Sequence, residues 1–169
     1  MKSMQPENDK FDVPDRFRSQ IDDVLDVYFS IQDALTKDDS KTVQTQGKLL
    51  KNALDNVDME LLKGDAHMEW MKELNVLNDQ ASTLDSDSDI EQQRVSFEII
   101  SETLKTVIGN FGTAGKHTVV VFHCPMAFNN KGADWLQDNP DLKNPYFGSS
   151  MLTCGEQKEV LVTAADSPL

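Results

Sequence analysis

The chain is poor in the residues that most readily announce a function. It holds 16 Lys and Arg against 29 Asp and Glu over 169 residues, a formal charge of −13. Clustered cations are what phosphate backbones and anionic bilayers recognise, so neither nucleic acid nor an acidic membrane surface is expected as a partner. No run of 18 apolar residues occurs, so no membrane-spanning helix is expected. Residues 1–10 lack the apolar stretch of a signal peptide. Glycine (8) and proline (6) are too scarce for a low-complexity chain. Cysteine is scarcer still, with 2, against 7 Met and 3 His. Hydrophobic residues, at 38 %, suffice for one core.

Residues 1–13 read as a solvated arm, followed by a single domain over 14–169. Pro14 opens a helix whose apolar stripe is Phe17, Ile21, Val24, Leu25, Tyr28, Ile31 and Leu35, at the three- and four-residue steps of an α-helix. Asp38, Asp39 and Ser40 offer an N-cap to a second helix striped by Val43, Leu50, Leu54 and Val57, with Gly47 permitting close approach. A third segment runs from about Met59 to Thr83, with Gly64 as its weak point. Ser88 and Glu91 have the spacing of a capping box for a fourth helix, which Gly112 ends. Four amphipathic helices on short connections predict an antiparallel four-helix bundle over 14–112.

After Gly115 the pattern changes. Thr118–Phe122 and Glu159–Thr163 are β-branched runs that read as a small β-ribbon within 116–163. Between them lies a long loop, which Trp135, Leu136, Tyr146 and Phe147 anchor. The fold class is mainly α with a C-terminal β-ribbon and a structured loop.

Catalytic signatures fail one after another. No His-Glu-x-x-His occurs, and Gly64, Ala114 and Val120 stand where a di-iron bundle needs Glu three residues before each His. Gly112–Thr118 lacks the spacing and the preceding strand of a phosphate loop. No nucleophile elbow surrounds any Ser. An enzyme is not expected.

The sulfur residues, by contrast, cluster. His123, Cys124 and Met126 follow the first strand, and Met151 and Cys154 precede the second. In an extended backbone Cys124 and Met126 point to one face, and a turn brings Met151 to Cys154. Pairing of the strands would bring both groups to one end of the ribbon. Thiolates and thioethers suit Cu(I), while zinc, the alternative ion, rarely takes thioethers. His67 and Met71, four apart, share a helical face and offer further ligands. A disulfide between Cys124 and Cys154 explains the cysteines equally well, closing a loop of about 30 residues for roughly 3–4 kcal/mol.

The stretch from His123 to Glu156 resembles a bacterial domain family of uncharacterised function. Cys124-Pro-Met-Ala127, Lys131-Gly-Ala-Asp-Trp-Leu136, Asn144-Pro-Tyr-Phe-Gly148 and Met151-Leu-Thr-Cys-Gly155 carry the resemblance. Ala66-His-Met-Glu-Trp-Met71 and Ile90-Glu-Gln-Gln-Arg94 with Phe97 extend it into the helices. Such domains occur in exported proteins and at the C-terminus of periplasmic adaptors of copper/silver-type efflux pumps. The resemblance implies a periplasmic or exported setting, and copper handling with efflux-pump components as possible partners. It implies Cys124, Cys154, Met126, Met151 and His67 as ligands, with His123 and Met71 weaker, and it favours metal over a plain disulfide.

Overall fold

The protein was analysed as a computed structural model that describes residues 10–164. Residues 1–9 of the expected arm lie outside the described residues. Within residues 10–13, Lys10 and Asp12 are exposed while Phe11 and Val13 pack against the helices. Phe11 N–H donates to Asn110 O at 2.8 Å, its ring stacks on Phe111 at 5.4 Å, and Val13 is buried. The two apolar side chains outweigh the polar character of this short segment.

Four long helices follow: α1 (Asp15–Thr36), α2 (Ser40–Asp55), α3 (Gly64–Ser86) and α4 (Ile90–Phe111). Every residue of the expected α1 stripe is buried. Pro14 sits at the N-cap and not inside the helix. The Asp39 carboxylate accepts from Thr42 N–H at 3.1 Å and so caps α2. The cap of α4 is Asp89, whose carboxylate accepts from Glu91 N–H at 3.1 Å, one residue later than the capping-box spacing suggests. The third segment is broken in two. A single 3₁₀ turn, Met59–Leu61, precedes α3, which begins at Gly64.

Consecutive helices pack on one another, α1 on α2, α2 on α3 and α3 on α4. Gly47 makes the α2–α3 contact close, because a Cβ there would lie 2.7 Å from Leu84 Cβ. Phe17, Trp70 and Phe111 meet edge to face at one end of the helices, with centroid separations of 5.3–6.3 Å. Each is fully buried, a contribution of roughly 1.5–3 kcal/mol for a side chain of Phe size.

The C-terminal part is a three-stranded antiparallel sheet, where a two-stranded ribbon was expected. β1 (Val119–Cys124) lies between β2 (Ala133–Gln137) and β3 (Glu156–Val162). β2 falls inside the expected loop. Its sequence, ADWLQ, hides the strand because Asp134 and Gln137 are polar yet buried. Cys124 pairs with Ala133, His123 with Asp134, and Phe122 with Trp135. Side chains alternate along a strand, so Val120, Phe122 and Cys124 share one face and Val119, Val121 and His123 the other. The second face meets α4, where Lys105 reaches Asp134, and the free edge of β2 meets α1, where Leu136 N–H donates to Tyr28 Oη at 2.9 Å. The segment 138–155 covers the first.

Candidate functional site

Cys124 is the last residue of the central strand and is fully buried. Its cross-strand partner is the small Ala133, which leaves room above the sulfur. Cys154 arrives from the covering segment on a turn in which its N–H donates to Met151 O at 3.2 Å. The two Sγ atoms are 3.8 Å apart and both thiols are free. The expected convergence of the two sulfur groups is therefore observed for the cysteines.

Gly155 makes the approach possible. Its φ is +141°, and a Cβ would stand 2.9 Å from His123 O and 3.0 Å from the Trp135 ring. Only glycine admits both the conformation and the contact. Trp135 itself is buried, stacked on Phe122 at 5.5 Å and edge-on to Tyr146 at 5.9 Å.

Asn144 holds the covering segment in shape. It is fully buried, and its amide donates to Cys154 O at 2.6 Å while its Oδ1 accepts from Tyr146 N–H at 2.8 Å and Phe147 N–H at 3.2 Å. The helices clamp the same segment from outside. Gln32 donates to Lys143 O at 2.9 Å, and Arg94 donates through Nε to Pro145 O at 2.8 Å and through Nη2 to Asp38 at 2.8 Å. Asp38 in turn accepts from Ser149. Tyr146 Oη donates to the Asp134 carbonyl of β2. Cys154 is thus positioned by a buried polar network that spans α1, α4 and the sheet.

The remaining expected ligands fall in different places. Met151 belongs to the Cys154 turn and is partly buried. Met126 lies beyond the strand in a helical-region turn, φ −93° and ψ −10°, and is 47 % exposed. The extended-chain argument for it does not hold, because β1 stops at Cys124 and Pro125 starts a turn. His123 projects from the sheet face opposite Cys124, with Nδ1 2.6 Å from Asp134 Oδ1, so it is turned away from the thiols. His67 and Met71 lie on the first two turns of α3. That end meets α4 at Asn110, which donates to Glu69 at 3.1 Å, whereas the sulfur end of the sheet meets α4 at Glu98 through Lys131, 3.5 Å away. Twelve helical residues, about 18 Å of rise, separate Glu98 from Asn110, so His67 and Met71 stand apart from the cysteines. Among the described residues, no group of three or more His, Cys, Asp and Glu is placed to hold a metal ion.

Burial pushes the Cys154 thiol above its ordinary range, and the adjacent Cys124 sulfur adds to the effect. On the opposite face, burial also pushes the Asp134 carboxyl up. Hydrogen bonds from Lys105 (2.7 Å), His123 (2.6 Å) and Lys158 (3.1 Å) outweigh it and hold the group down at about 2. Asp134 is an anionic hub on the sheet face opposite the thiols and links side chains of all three strands.

Residues 24–116 match a family described as a protein of unknown function, DUF3347. The chain belongs to the DUF3347 family. The match runs from α1 through α4, so it includes His67, Met71 and Arg94 and stops before Cys124, Met126, Met151 and Cys154. DUF3347 membership accordingly describes the helices and leaves the thiol site to be read from its own chemistry. No curated protein and no solved structure matches the chain.

Asn144, Gly155, Arg94 and Asp134 are the residues whose roles sequence reasoning missed. All four lie in the segments that carry the family resemblance, and a buried Asn before Pro or a Gly after Cys is a usable signal of a shaped loop.

Proposed function

We propose that this protein is a non-catalytic binding domain for a soft metal ion, copper(I) ahead of zinc. The observation that carries the reading is the pair of free thiols 3.8 Å apart. At a metal–sulfur length of about 2.3 Å, sulfurs at that separation subtend about 111° at a shared ion, an angle suited to three- or four-coordination. The partly buried Met151 on the Cys154 turn and Met126 two residues after Cys124 are the thioethers nearest in sequence, and thioether with thiolate favours Cu(I) over zinc. His67, His123 and Met71 are left out of this set by their placement. Trp135 and the segment it supports keep water and oxidant from the buried sulfur.

The wider setting follows from the resemblance of the loop motifs to domains of efflux adaptors. On that basis we assign the domain to heavy-metal handling outside the cytoplasm, with efflux-pump components as partners. The four helices, read as an antiparallel bundle, form the platform that clamps the loop. A second reading is a structural module in which Cys124 and Cys154 form a disulfide and the loop docks a partner; the same short Sγ–Sγ distance favours it.

Anaerobic titration of the reduced protein with Cu(I), beside Cys124→Ser, tests the proposal. Wild type is expected to take up one ion, and the variant to bind it about 100-fold more weakly or worse, beyond the 10–100-fold cost of disturbing a ligand's neighbours. Equal binding by the two proteins would remove the metal reading.

A further inference from the structure

The two sulfurs are alike in chemistry and unlike in access. Cys124 is buried on the central strand under the covering segment, whereas Cys154 is partly exposed on a turn. They are the chain's only cysteines, so within the chain a sulfur-bound adduct on either can be resolved only by the other. Their 3.8 Å separation exceeds a disulfide bond of about 2.05 Å by under 2 Å. Rotation of the Cys154 side chain on its turn shortens it while Asn144 keeps hold of the Cys154 carbonyl.

From this asymmetry we infer that the pair is a dithiol–disulfide exchange site for small-molecule disulfides, with Cys154 as the entry sulfur and Cys124 as the resolving one. The thiolate form of Cys154, made scarcer by burial and by the Cys124 sulfur, attacks one sulfur of a disulfide RSSR. The RS–SR bond breaks, a Cys154–SR bond forms, and RS⁻ leaves to take up a proton. The Cys124 thiolate then attacks the Cys154 sulfur, forming the Cys124–Cys154 bond and expelling the second RS⁻. The protein dithiol has lost two electrons and two protons, and RSSR has become two RSH. Resting on the metal reading above, the same step regulates the site, because it consumes both thiolates and leaves a soft ion without its anionic ligands.

The test uses metal-free full-length protein, oxidised glutathione, acid quenching and mass spectrometry after alkylation. Wild type is expected to pass to an internal disulfide carrying no glutathione. Cys124→Ser is expected to stop as a glutathione adduct on Cys154, and Cys154→Ser to react about tenfold more slowly or less, since a buried thiol lacks access. Circular dichroism confirms that both serine variants are folded, and the wild-type time course needs no variant. A wild type that retains one glutathione, or a Cys154→Ser that reacts as fast as Cys124→Ser, overturns the assignment. Titrating oxidised wild type with Cu(I) tests the regulation: retained binding overturns it. No metal is present in the exchange arm, so its failure is distinguishable from failure of the metal reading.

Discussion

Replacing Asn144 with alanine probes the element on which the thiol geometry depends. The side chain makes three hydrogen bonds to backbone, at 2.6, 2.8 and 3.2 Å, from a fully buried position. Alanine removes all three and leaves the buried Tyr146 N–H with no substitute partner. A net loss of about 1 kcal/mol per bond, with the further cost of an unsatisfied buried group, gives a destabilisation of roughly 2–4 kcal/mol. For a chain of this size that lowers Tm by about 5–15 °C. The assay pairs thermal unfolding of the reduced protein with the alkylation rate of its thiols. Loss of the Cys154 carbonyl anchor is expected to release the turn, and both thiols should label faster. Asn144→Asp keeps the two acceptor bonds but turns the donor toward Cys154 O into a repulsion, so faster labelling is expected there too. A Tm within about 2 °C of wild type, with labelling unchanged, would refute the role given to Asn144.

Gly155→Ala introduces contacts of 2.9 and 3.0 Å at a φ of +141°; overpacking and backbone strain together cost about 2–5 kcal/mol, and chemical denaturation should show it, with slowed internal disulfide formation. Asp22 is buried, and its Oδ1 has no hydrogen-bond partner among the described residues. Burial raises its pKa against the Ala114 and Lys116 backbone bonds. A folded-state pKa above the unfolded one gives stability that is full below the unfolded value and is lost as pH rises through the folded value. Asp22→Asn is therefore expected to raise stability at pH 7 and to remove that loss, as read from denaturant midpoints at pH 3 to 7. Asp134 carries the opposite sign: its pKa is held at about 2 in the folded state, so its contribution is present above the ordinary carboxylate range and is lost as pH falls from about 4 toward 2. Asp134→Asn should flatten the acid limb of the stability profile in that window, and an unchanged limb would count against the hub.

Much of the fold is legible in the sequence because the helices obey one period throughout. The stripe from Phe17 to Leu35 is buried residue for residue, and Asp39 and Gly112 mark ends by caps that depend only on neighbours a few positions away. Legibility fails where a residue's burial is decided by distant partners. Asp134 looks like a loop residue until Lys105, His123 and Lys158 are seen around it. Strand β2 is hidden for that reason. The candidate site divides in the same way. Cys124 and Cys154 are found from sequence because strand pairing across one loop brings their flanks together. The directions of Met126 and His123 are not legible, because they depend on where β1 stops and on which face the helices cover. The distance of His67 from the cysteines is not legible either, because the separation between the two ends of α4 is invisible in a one-dimensional spacing.

Under the proposed function, sulfur holds the ion. X-ray absorption at the copper edge of the anaerobically Cu(I)-loaded protein tests it most directly. A first shell of sulfur at roughly 2.3 Å, the usual length for metal–thiolate bonds, is expected, with no imidazole scattering from His67 or His123. A shell of nitrogen and oxygen alone, or one unaltered in the Cys124→Ser/Cys154→Ser double variant, would contradict it.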